Sequence, residues 1–182
     1  MAKKKIIFVC TGNTCRSPMA EIIFKAEMKK RNITTVTVKS AGIAADASGI
    51  NPKSASVLKE KGYRVGKFTS TQLDEKLLKD ALMIICMTES QREKVAYAVA
   101  KVCDVGEEKK VQSFYSLAGD EVPDPYGKDI DCYRYVFEIV SMSMNKIFEK
   151  IDFPKEDLTK PKRTGTSKKR QTATTEKKGE LI

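Results

Sequence analysis

The segment from Ile6 to Glu21, IIFVCTGNTCRSPMAE, begins with an apolar run that ends at Cys10. A run of this length and composition is typical of a buried β-strand. Residues 11 to 16 have the composition of a turn, and Ser17 and Pro18 match the N-cap and first-turn proline of a following helix. A strand, a tight turn and a helix are the first part of a βαβ unit, so this segment predicts an α/β fold.

Strand-like and helix-like segments also alternate through the rest of the first 154 residues. Four short runs that are apolar or rich in β-branched residues predict strands at 4–10, 35–41, 81–87 and 110–115. Four segments with helical spacing of apolar residues lie at 17–32, 52–62, 89–101 and 129–151. This alternation predicts a parallel sheet covered by helices.

Composition limits the class of protein. The chain has 182 residues, of which 41% are hydrophobic, enough for one core and one domain. No apolar window is long enough for a membrane span, and the apolar run that ends at Cys10 is too short for a signal peptide. We therefore expect a cytoplasmic protein without membrane contact, whose five cysteines are mostly thiols.

The net charge of +10 is unevenly distributed. Residues 155–182 contain nine Lys or Arg and four Asp or Glu, with few apolar residues and no periodicity. We therefore predict one domain at 1–154 and a basic, disordered tail at 155–182. Such a tail can bind nucleic acid non-specifically, but no aromatic side chains interleave with its charges, which favours a solvated extension.

The chain contains no histidine. Ser-His-Asp and Cys-His catalysis are therefore excluded, and so are zinc sites with imidazole ligands. The cysteines, at positions 10, 15, 86, 103 and 132, form no CxxC pair. We expect no metal site, and any reactive thiolate must be stabilised by groups other than imidazolium.

The turn after the first predicted strand has the features of an anion-binding loop. In open α/β sheets, ligands bind beyond the carboxyl ends of the strands, which is where this turn lies. Loop amides and a helix N-terminus then point at one spot, which suits a phosphate. Gly12 allows unusual backbone dihedrals, and the planar fork of Arg16 can hold two phosphate oxygens.

The same surroundings can make Cys10 a nucleophile. A helix N-terminus, a nearby arginine and hydroxyl or amide donors all stabilise a thiolate, which would then be placed to attack phosphorus. The alternative is a buried structural cysteine beside a capped helix. Cysteine and arginine at this spacing, with a serine after the arginine, occur by chance often enough to leave both interpretations open.

A general acid is expected in the segment AGDEVPDPYGKD, residues 118–129. Asp124 lies between two prolines that stiffen the backbone, and Tyr126 follows it. Asp120, Glu121 and Asp129 are competing candidates, and an ordinary turn before a helix is the alternative.

Together, VCTGNTCRSPMAE at 9–21, SAG at 40–42 and DPYG at 124–127 resemble the low-molecular-weight protein tyrosine phosphatase family. The likeness covers residues 4–153 and leaves out the basic tail. It implies a three-layer α/β fold with a four-stranded parallel sheet flanked by helices and a phosphate-binding loop after the first strand. It also implies that phosphorylated proteins or peptides are hydrolysed through a phosphocysteine intermediate, without a metal or an organic cofactor.

The resemblance assigns roles by position. It makes Cys10 the nucleophile, Arg16 the phosphate ligand, Ser17 the hydroxyl that stabilises the thiolate and Asp124 the general acid. It also implies a phosphate-binding loop that runs from Thr11 through Gly12, Asn13, Thr14, Cys15 and Arg16 to Ser17. Hydrogen bonds of Asn13 and Ser40 would hold this loop, Cys15 would pair with Cys10 on oxidation, and Tyr126 would line the entrance. Many relatives carry His or Arg in the segment that matches residues 67–72, and this chain does not.

Thr14 bears on the substrate. Tyrosine phosphatases of this family usually have a branched aliphatic residue there, whereas the loop CTGNTCRS resembles that of bacterial protein arginine phosphatases. A hydroxyl suits a polar guanidinium leaving group better than a methyl-rich wall does. The sequence therefore favours phosphoarginine, with phosphotyrosine as the alternative.

Two other functions fit the sequence less well. Arsenate reduction would need two further closely spaced cysteines, and a non-catalytic phosphate-binding module would not need Cys10, Arg16 and Asp124 together.

Overall fold

The structure is a computed structural model that describes residues 3–155. Apart from Lys155, the predicted tail lies outside the described residues. A central sheet contains β1 (Lys5–Cys10), β2 (Thr37–Gly42), β3 (Ala81–Cys86) and β4 (Val111–Ser113). All strand pairings are parallel and the strand order is β2-β1-β3-β4. The predicted four-stranded parallel sheet is confirmed.

Within residues 3–155, six α-helices connect and cover the strands. They are α1 (Arg16–Lys30), α2 (Pro52–Glu60), α3 (Glu75–Asp80), α4 (Glu89–Val102), α5 (Phe114–Ala118) and α6 (Ile130–Glu149). Helix α6 begins where the sequence predicts, because the Asp129 side chain accepts the N–H of Cys132 at 3.0 Å and so caps the first turn.

The strand β1 lies between β2 and β3 and separates two cores. Ile6 and Phe8 pack with apolar residues of α1, α2, α5 and α6 on one face of the sheet. Ile7 and Val9 pack with residues of α3 and α4 on the other face. All four side chains are fully buried. This double burial explains the continuous apolar run of the sequence, and it produces the predicted three layers.

The strand order places a crevice at the end of β1. After β1 the chain moves to β2 on one side, and it later returns to β3 on the other side. The connections on the two sides therefore diverge at the carboxyl end of β1, where open α/β sheets bind ligands. Cys10 is the last residue of that strand.

Three details of the sequence prediction are wrong. Helix α1 begins at Arg16, and its N-cap is Cys15 without a side-chain cap, so Ser17 is not the cap. Strand β4 ends at Ser113, since Ser113 and Ser116 exchange side-chain and backbone hydrogen bonds of 3.0 Å in a capping box that starts α5. The short helices α3 and α5 have too few turns for a periodic apolar pattern, and the sequence did not predict them.

Phe24 joins β1 to α6 through aromatic contacts. Its ring is fully buried, meets the edge of Phe8 at 5.3 Å between centroids, and stacks on Phe148 at 4.1 Å. Such pairs contribute beyond the apolar area that they bury. This aromatic group therefore ties the first strand to the last helix.

We expect Phe24→Ala to lower the free energy of unfolding by about 3–5 kcal/mol, since a large cavity would remain between β1 and α6. Urea denaturation followed by circular dichroism measures this change. Tyr97→Ala is the control, because Tyr97 is 65% exposed on α4, and its loss should cost less than about 1 kcal/mol. Similar losses in the two variants would contradict the role assigned to Phe24.

Candidate active site

Residues 11 to 15 form a loop between β1 and α1 that is anchored by its carbonyl groups. The carbonyl of Cys10 accepts the N–H of Ile43 at 3.0 Å, and that of Thr11 accepts the N–H of Ala44 at 2.9 Å. The carbonyl of Thr14 accepts the N–H of Asn51 at 2.8 Å. Because these carbonyls bind the segment after β2, the N–H groups of the loop remain for a ligand on the opposite side.

Gly42, at the end of β2, allows the loop to approach the sheet. A Cβ atom at this position would lie 2.6 Å from the carbonyl oxygen of Thr11 and 3.0 Å from the nitrogen of Asn13. Both are backbone atoms, which cannot move aside as a flexible side chain can. Only glycine fits here, which explains the glycine of the SAG segment physically.

Cys10 lies at the start of a chain of hydrogen bonds. Its Sγ is 3.0 Å from the Oγ of Ser17, and the same oxygen accepts a hydrogen bond of 2.9 Å from the Nδ2 of Asn13. Cys10 and Ser17 are both buried. Because Asn13 donates to Ser17, the hydroxyl hydrogen of Ser17 can point either at the sulfur or at the carbonyl of Ala41, which is 3.4 Å away.

The backbone of Asn13 has a φ of +55°, in the left-handed region that asparagine tolerates. Its Oδ1 accepts the N–H of Thr71 at 2.8 Å. Thr71 belongs to the segment in which many relatives carry His or Arg. In this chain the segment contributes a backbone amide, which fixes the side chain of Asn13 and through it Ser17.

The expected role of Ser40 differs in the structure. Its Oγ donates to the Oε2 of Glu21 at 2.5 Å, whereas Asn13 binds Ser17 and Thr71. Ser40 and Glu21 are both buried. Ser40 therefore ties β2 to α1 behind the loop, whereas Asn13 supports the loop itself.

Arg16 starts α1, and its side chain is only 5% exposed. Its Nη2 lies 2.6 Å from Oδ2 of Asp124, and its Nη1 donates to the carbonyl of Val122 at 3.4 Å. Its Nε is buried and has no hydrogen-bond partner within residues 3–155. An unpaired buried donor beside a cavity fits an anion oxygen. The first turn of α1 contains no acidic residue, so no side chain of that turn offsets the positive end of the helix dipole.

Asp124 lines the same cavity as Cys10. Its Oδ1 accepts the N–H of Tyr126 at 3.1 Å, and its side chain is 52% exposed. The N–H of Val122 donates to the carbonyl of Met87 at 3.0 Å, which anchors this loop just beyond β3. The carboxyl group is therefore both fixed and accessible to solvent, as proton exchange requires.

The three other carboxylates that the sequence offered as acids lie elsewhere. Glu121 accepts the N–H of Glu89 at 2.7 Å, and Asp129 caps α6. Asp120 lines a separate groove against α6. None of the three lines the cavity that contains Cys10.

A cavity of about 300 Å³ opens beside Cys10. Eight of the predicted site residues line it: Cys10, Thr11, Gly12, Thr14, Cys15, Arg16, Asp124 and Tyr126. Asn13, Ser17 and Ser40 are buried and do not line it. The predicted site residues therefore form two groups: eight that line the cavity, and three buried residues that lie behind the lining.

Three further lining residues were not predicted: Ala44, Asp46 and Ser48, all from the loop after β2. Gln91 on α4 was also missed, and its Nε2 donates to the Oγ1 of Thr11 at 3.1 Å. The pair of Asp46 and Ser48 has the spacing of a side-chain-capped turn, a signal visible in the sequence. Nothing local connects that turn, or Gln91, with Cys10.

Thr14 and Cys15 lie on the side of the cavity toward α6. The Oγ1 of Thr14 is 3.6 Å from the Sγ of Cys15, which in turn is 3.7 Å from the hydroxyl of Tyr133. Burial, followed by this contact with Cys15, raises the pKa of Tyr133 above its usual range. The tyrosine hydroxyl is therefore neutral at physiological pH and can donate toward the sulfur.

The remaining thiols lie outside the cavity lining. Burial raises the pKa of the Cys86 thiol well above its ordinary value, so Cys86 stays protonated. A hydrogen bond with Asp129 raises the pKa of Cys132.

In residues 3–155, no three side chains of His, Cys, Asp or Glu type converge in a way that could hold a metal ion. No helix in that range combines the length and the apolar character needed to span a membrane.

Known proteins resemble this chain over most of its length. A protein-arginine-phosphatase of Bacillus subtilis (strain 168) is 35% identical over 130 residues, which are 71% of this chain and 84% of that protein. The low molecular weight protein-tyrosine-phosphatase PtpB of Staphylococcus haemolyticus (strain JCSC1435) is 34% identical over 144 residues, 79% of this chain and 96% of that protein.

Comparison with solved structures gives the same relationship. The crystal structure of a mutant of YwlE from Bacillus subtilis superimposes with a TM-score of 0.72 at 30% identity, and the match covers 81% of this chain and 97% of that one. Residues 5–158 match the family model described as low molecular weight phosphotyrosine protein phosphatase. With this match, and with a cysteine and an arginine on an anion-binding loop after the first strand, the chain belongs to the low molecular weight phosphotyrosine protein phosphatase family.

Proposed function

We propose that this phosphatase removes phosphate from arginine side chains of proteins, with Cys10 as nucleophile and Asp124 as general acid. The observation that carries the proposal is the cavity lining. It combines Cys10 and Arg16 with a polar wall formed by Thr14 and Asp124. A guanidinium leaving group needs such polar neighbours, whereas a phenyl ring does not.

In the first step, the phosphate of the substrate binds the loop N–H groups and the guanidinium of Arg16. The Cys10 thiolate attacks phosphorus, forming a sulfur–phosphorus bond as the phosphorus–nitrogen bond breaks. Asp124 donates a proton to the departing nitrogen, so the arginine leaves with a neutral or cationic guanidine group instead of an anionic nitrogen. Ser17, at 3.0 Å from the sulfur, stabilises the thiolate before the attack.

In the second step, water hydrolyses the phosphocysteine. Asp124, now ionised, accepts a proton from the water as its oxygen attacks phosphorus. The sulfur–phosphorus bond breaks, which returns the Cys10 thiolate and releases inorganic phosphate. The N–H groups of the loop and Arg16 hold the phosphoryl oxygens through both steps.

The ion pair of Arg16 and Asp124 links binding to acid catalysis. A bound phosphate competes with Asp124 for the arginine fork, because both are anions that suit the same donors. When the phosphate takes the fork, Asp124 loses its counter-charge and gains a negative neighbour. Both changes release Asp124 from Arg16, so that its carboxyl group can serve the departing nitrogen of the first step.

Two observations support phosphoarginine as the substrate, and two others favour phosphotyrosine. The similarity to the Bacillus subtilis protein-arginine-phosphatase supports phosphoarginine, as does the hydroxyl of Thr14 beside the cavity. Phosphotyrosine is the rival, because Tyr126 is 71% exposed at the entrance and offers an aromatic surface to a substrate ring. The similarity to PtpB also favours it.

Arsenate reduction is a poorer interpretation. It needs a relay of closely spaced thiols, yet Cys86 ends β3 and Cys103 lies at the far end of α4. That helix has 14 residues, so it is about 20 Å long at 1.5 Å per residue, and it lies between Cys86 and Cys103 in the chain. The raised pKa of Cys86 also keeps that thiol unreactive.

We also propose that Cys15 protects the nucleophile in a reducing cytoplasm. Cys10 and Cys15 are free thiols that line the same cavity. Peroxide would oxidise the two thiols to a disulfide and be reduced to water, which would keep Cys10 from irreversible higher oxidation; small thiols would reduce the disulfide again. Phosphorylated proteins are the only partners that the proposal requires.

Cys10→Ser should lose turnover by at least about a thousandfold, because a serine hydroxyl is a much weaker nucleophile without a base beside it. Phosphate binding should persist, since the loop and Arg16 are unchanged. Turnover is measured with phosphoarginine peptides, and binding by calorimetry with vanadate or phosphate. Cys132→Ser is the control and should keep full activity; a Cys10→Ser variant with a tenth of wild-type turnover would refute the mechanism.

Asp124→Asn should slow hydrolysis of poor leaving groups by about 10²- to 10⁴-fold, the usual contribution of a general acid. A good leaving group such as that of para-nitrophenyl phosphate should be slowed much less, since it needs no proton. Steady-state rates on both substrates test this expectation. Glu121→Gln is the matched control; equal slowing of both substrates by Asp124→Asn would make Asp124 a structural residue.

Thr14→Ile should lower kcat/KM for phosphoarginine peptides by about 5- to 150-fold, because a polar leaving group loses its hydrogen-bond partner in the transition state. The same change should leave phosphotyrosine hydrolysis unchanged or faster, since it adds apolar surface. Thr14→Ser keeps the hydroxyl and is the control. If the ratio of the two substrates stays within about twofold of wild type, Thr14 does not select the substrate, and phosphotyrosine becomes the better assignment.

A further inference from the structure

We propose that Asp46 is a specificity residue whose carboxylate binds the guanidinium group of phosphoarginine at the rim of the cavity. The inference rests on the proposed phosphoarginine activity and adds a residue outside the loop and outside the general-acid segment. Asp46 is exposed in the segment after β2, yet it lines the same cavity as Cys10 and Asp124.

The rim position of Asp46 is held from both sides. Two residues before it, the N–H of Ala44 donates to the carbonyl of Thr11 at 2.9 Å. Two residues after it, the carbonyl of Ser48 accepts the N–H of Ser70 at 2.7 Å. The carboxylate is therefore carried on a short segment whose ends are attached to the catalytic loop and to the segment that supports it.

The carboxylate itself is oriented by Ser48. Its Oδ1 accepts both the N–H of Ser48 at 3.1 Å and the Oγ of Ser48 at 2.6 Å. Between them, Ala47 has a φ of +62°, a left-handed conformation that costs free energy for alanine. Both of these hydrogen bonds go to Oδ1, and the carboxylate they orient lines the cavity.

Asp46 carries an unpaired negative charge. The hydrogen bonds from the side chain and then the backbone of Ser48 lower its pKa, so it is ionised at neutral pH. None of the ion pairs found in residues 3–155 includes Asp46. An anionic group that no internal cation compensates is available to a cationic ligand.

The charges of the site are thus arranged in two levels. The floor has Arg16 and the start of α1, which attract the phosphate. The rim has Asp46, whose negative charge would repel a phosphate that carried an uncharged leaving group. Phosphoarginine matches both levels, because its guanidinium is cationic, has several N–H donors and is bonded directly to phosphorus.

A cavity of about 300 Å³ is at the small end of the range for ligand pockets. With the phosphate at Cys10, the group bonded to phosphorus must lie between the rim side chains. Thr14 then accommodates a polar group, and Asp46 attracts a cation. Specificity of this kind combines attraction of the right leaving group with repulsion of the wrong one.

The test compares wild type with Asp46→Asn on phosphoarginine and phosphotyrosine peptides of otherwise identical sequence. Asparagine keeps an acceptor for the Ser48 N–H, so the turn at Ala47 is retained and only the charge is lost. Asp104→Asn makes the same change in net charge at an exposed position that does not line the cavity. Thermal unfolding of all variants checks that the fold is intact.

We expect Asp46→Asn to lower kcat/KM for the phosphoarginine peptide about tenfold, mainly through KM, because a charge-assisted hydrogen bond to the bound substrate is lost. Hydrolysis of the phosphotyrosine peptide should be unchanged or faster, and Asp104→Asn should change neither. The wild-type preference for phosphoarginine should also decrease between about 0.05 and about 0.5 M salt, and this decrease should be smaller in Asp46→Asn.

Each other outcome overturns the inference. An equal loss on both peptides makes Asp46 a support of the loop, and a substrate ratio within about twofold of wild type makes it a surface residue. Both of these leave the proposed function intact if the wild type hydrolyses phosphoarginine. A wild-type enzyme that hydrolyses only phosphotyrosine overturns the proposed function itself and, with it, the role of Asp46.

Discussion

The anion-binding loop keeps its shape because β2 ends in a residue without a side chain. At Gly42 the backbone of β2 comes so close to Thr11 and Asn13 that a Cβ atom would collide with backbone atoms. This contact sets the distance between the loop and the sheet. The anchoring of the loop carbonyls by the segment after β2, and the availability of the loop amides to a phosphate, both follow from that distance.

The hydrogen bonds of Asn13 extend this support to Cys10. Asn13 is held by the backbone of Thr71 and donates to Ser17, which is 3.0 Å from the sulfur of Cys10. No imidazole takes part, because the chain contains no histidine. The polar groups that support the sulfur are therefore a hydroxyl and an amide, neither of which changes charge between pH 5 and 8 as a histidine would.

Local sequence patterns predicted the parts of the molecule in which neighbours along the chain are also neighbours in space. The strand, loop and helix around Cys10 form such a part, and the long amphipathic helix α6 is another. The sequence also indicated DPYG, which contains Asp124, as a candidate segment. Only the family resemblance, however, placed Asp124 in the same site as Cys10. The start of α1 was predicted wrongly, because a serine that looks like a helix cap can also bind a sulfur. The extent of β4 was also wrong, since Ser113 starts a helix through a capping box.

The residues that were missed reach the site through tertiary contacts. Thr71 provides only a backbone amide, which any residue except proline carries, so no residue type marks it. Gln91 is one of several polar residues in the first turns of α4, and only the packing of α4 on the sheet brings it to Thr11. Asp46 and Ser48 form a recognisable turn, but the strand order is needed to show that the turn borders the nucleophile.

The segment from Ile43 to Asn51 is attached to Cys10 and to the loop after it through three of its residues, Ile43, Ala44 and Asn51. Asn51 also caps α2 with its side chain, so this one residue connects the loop, the segment after β2 and the start of α2. Surface connections ordinarily tolerate changes in length, because each added residue costs little entropy. This connection differs, since an inserted residue would displace a carbonyl anchor of the anion cradle. Divergence of substrate preference in this lineage should therefore proceed by replacing side chains at constant length, and an alignment of relatives should show few gaps there.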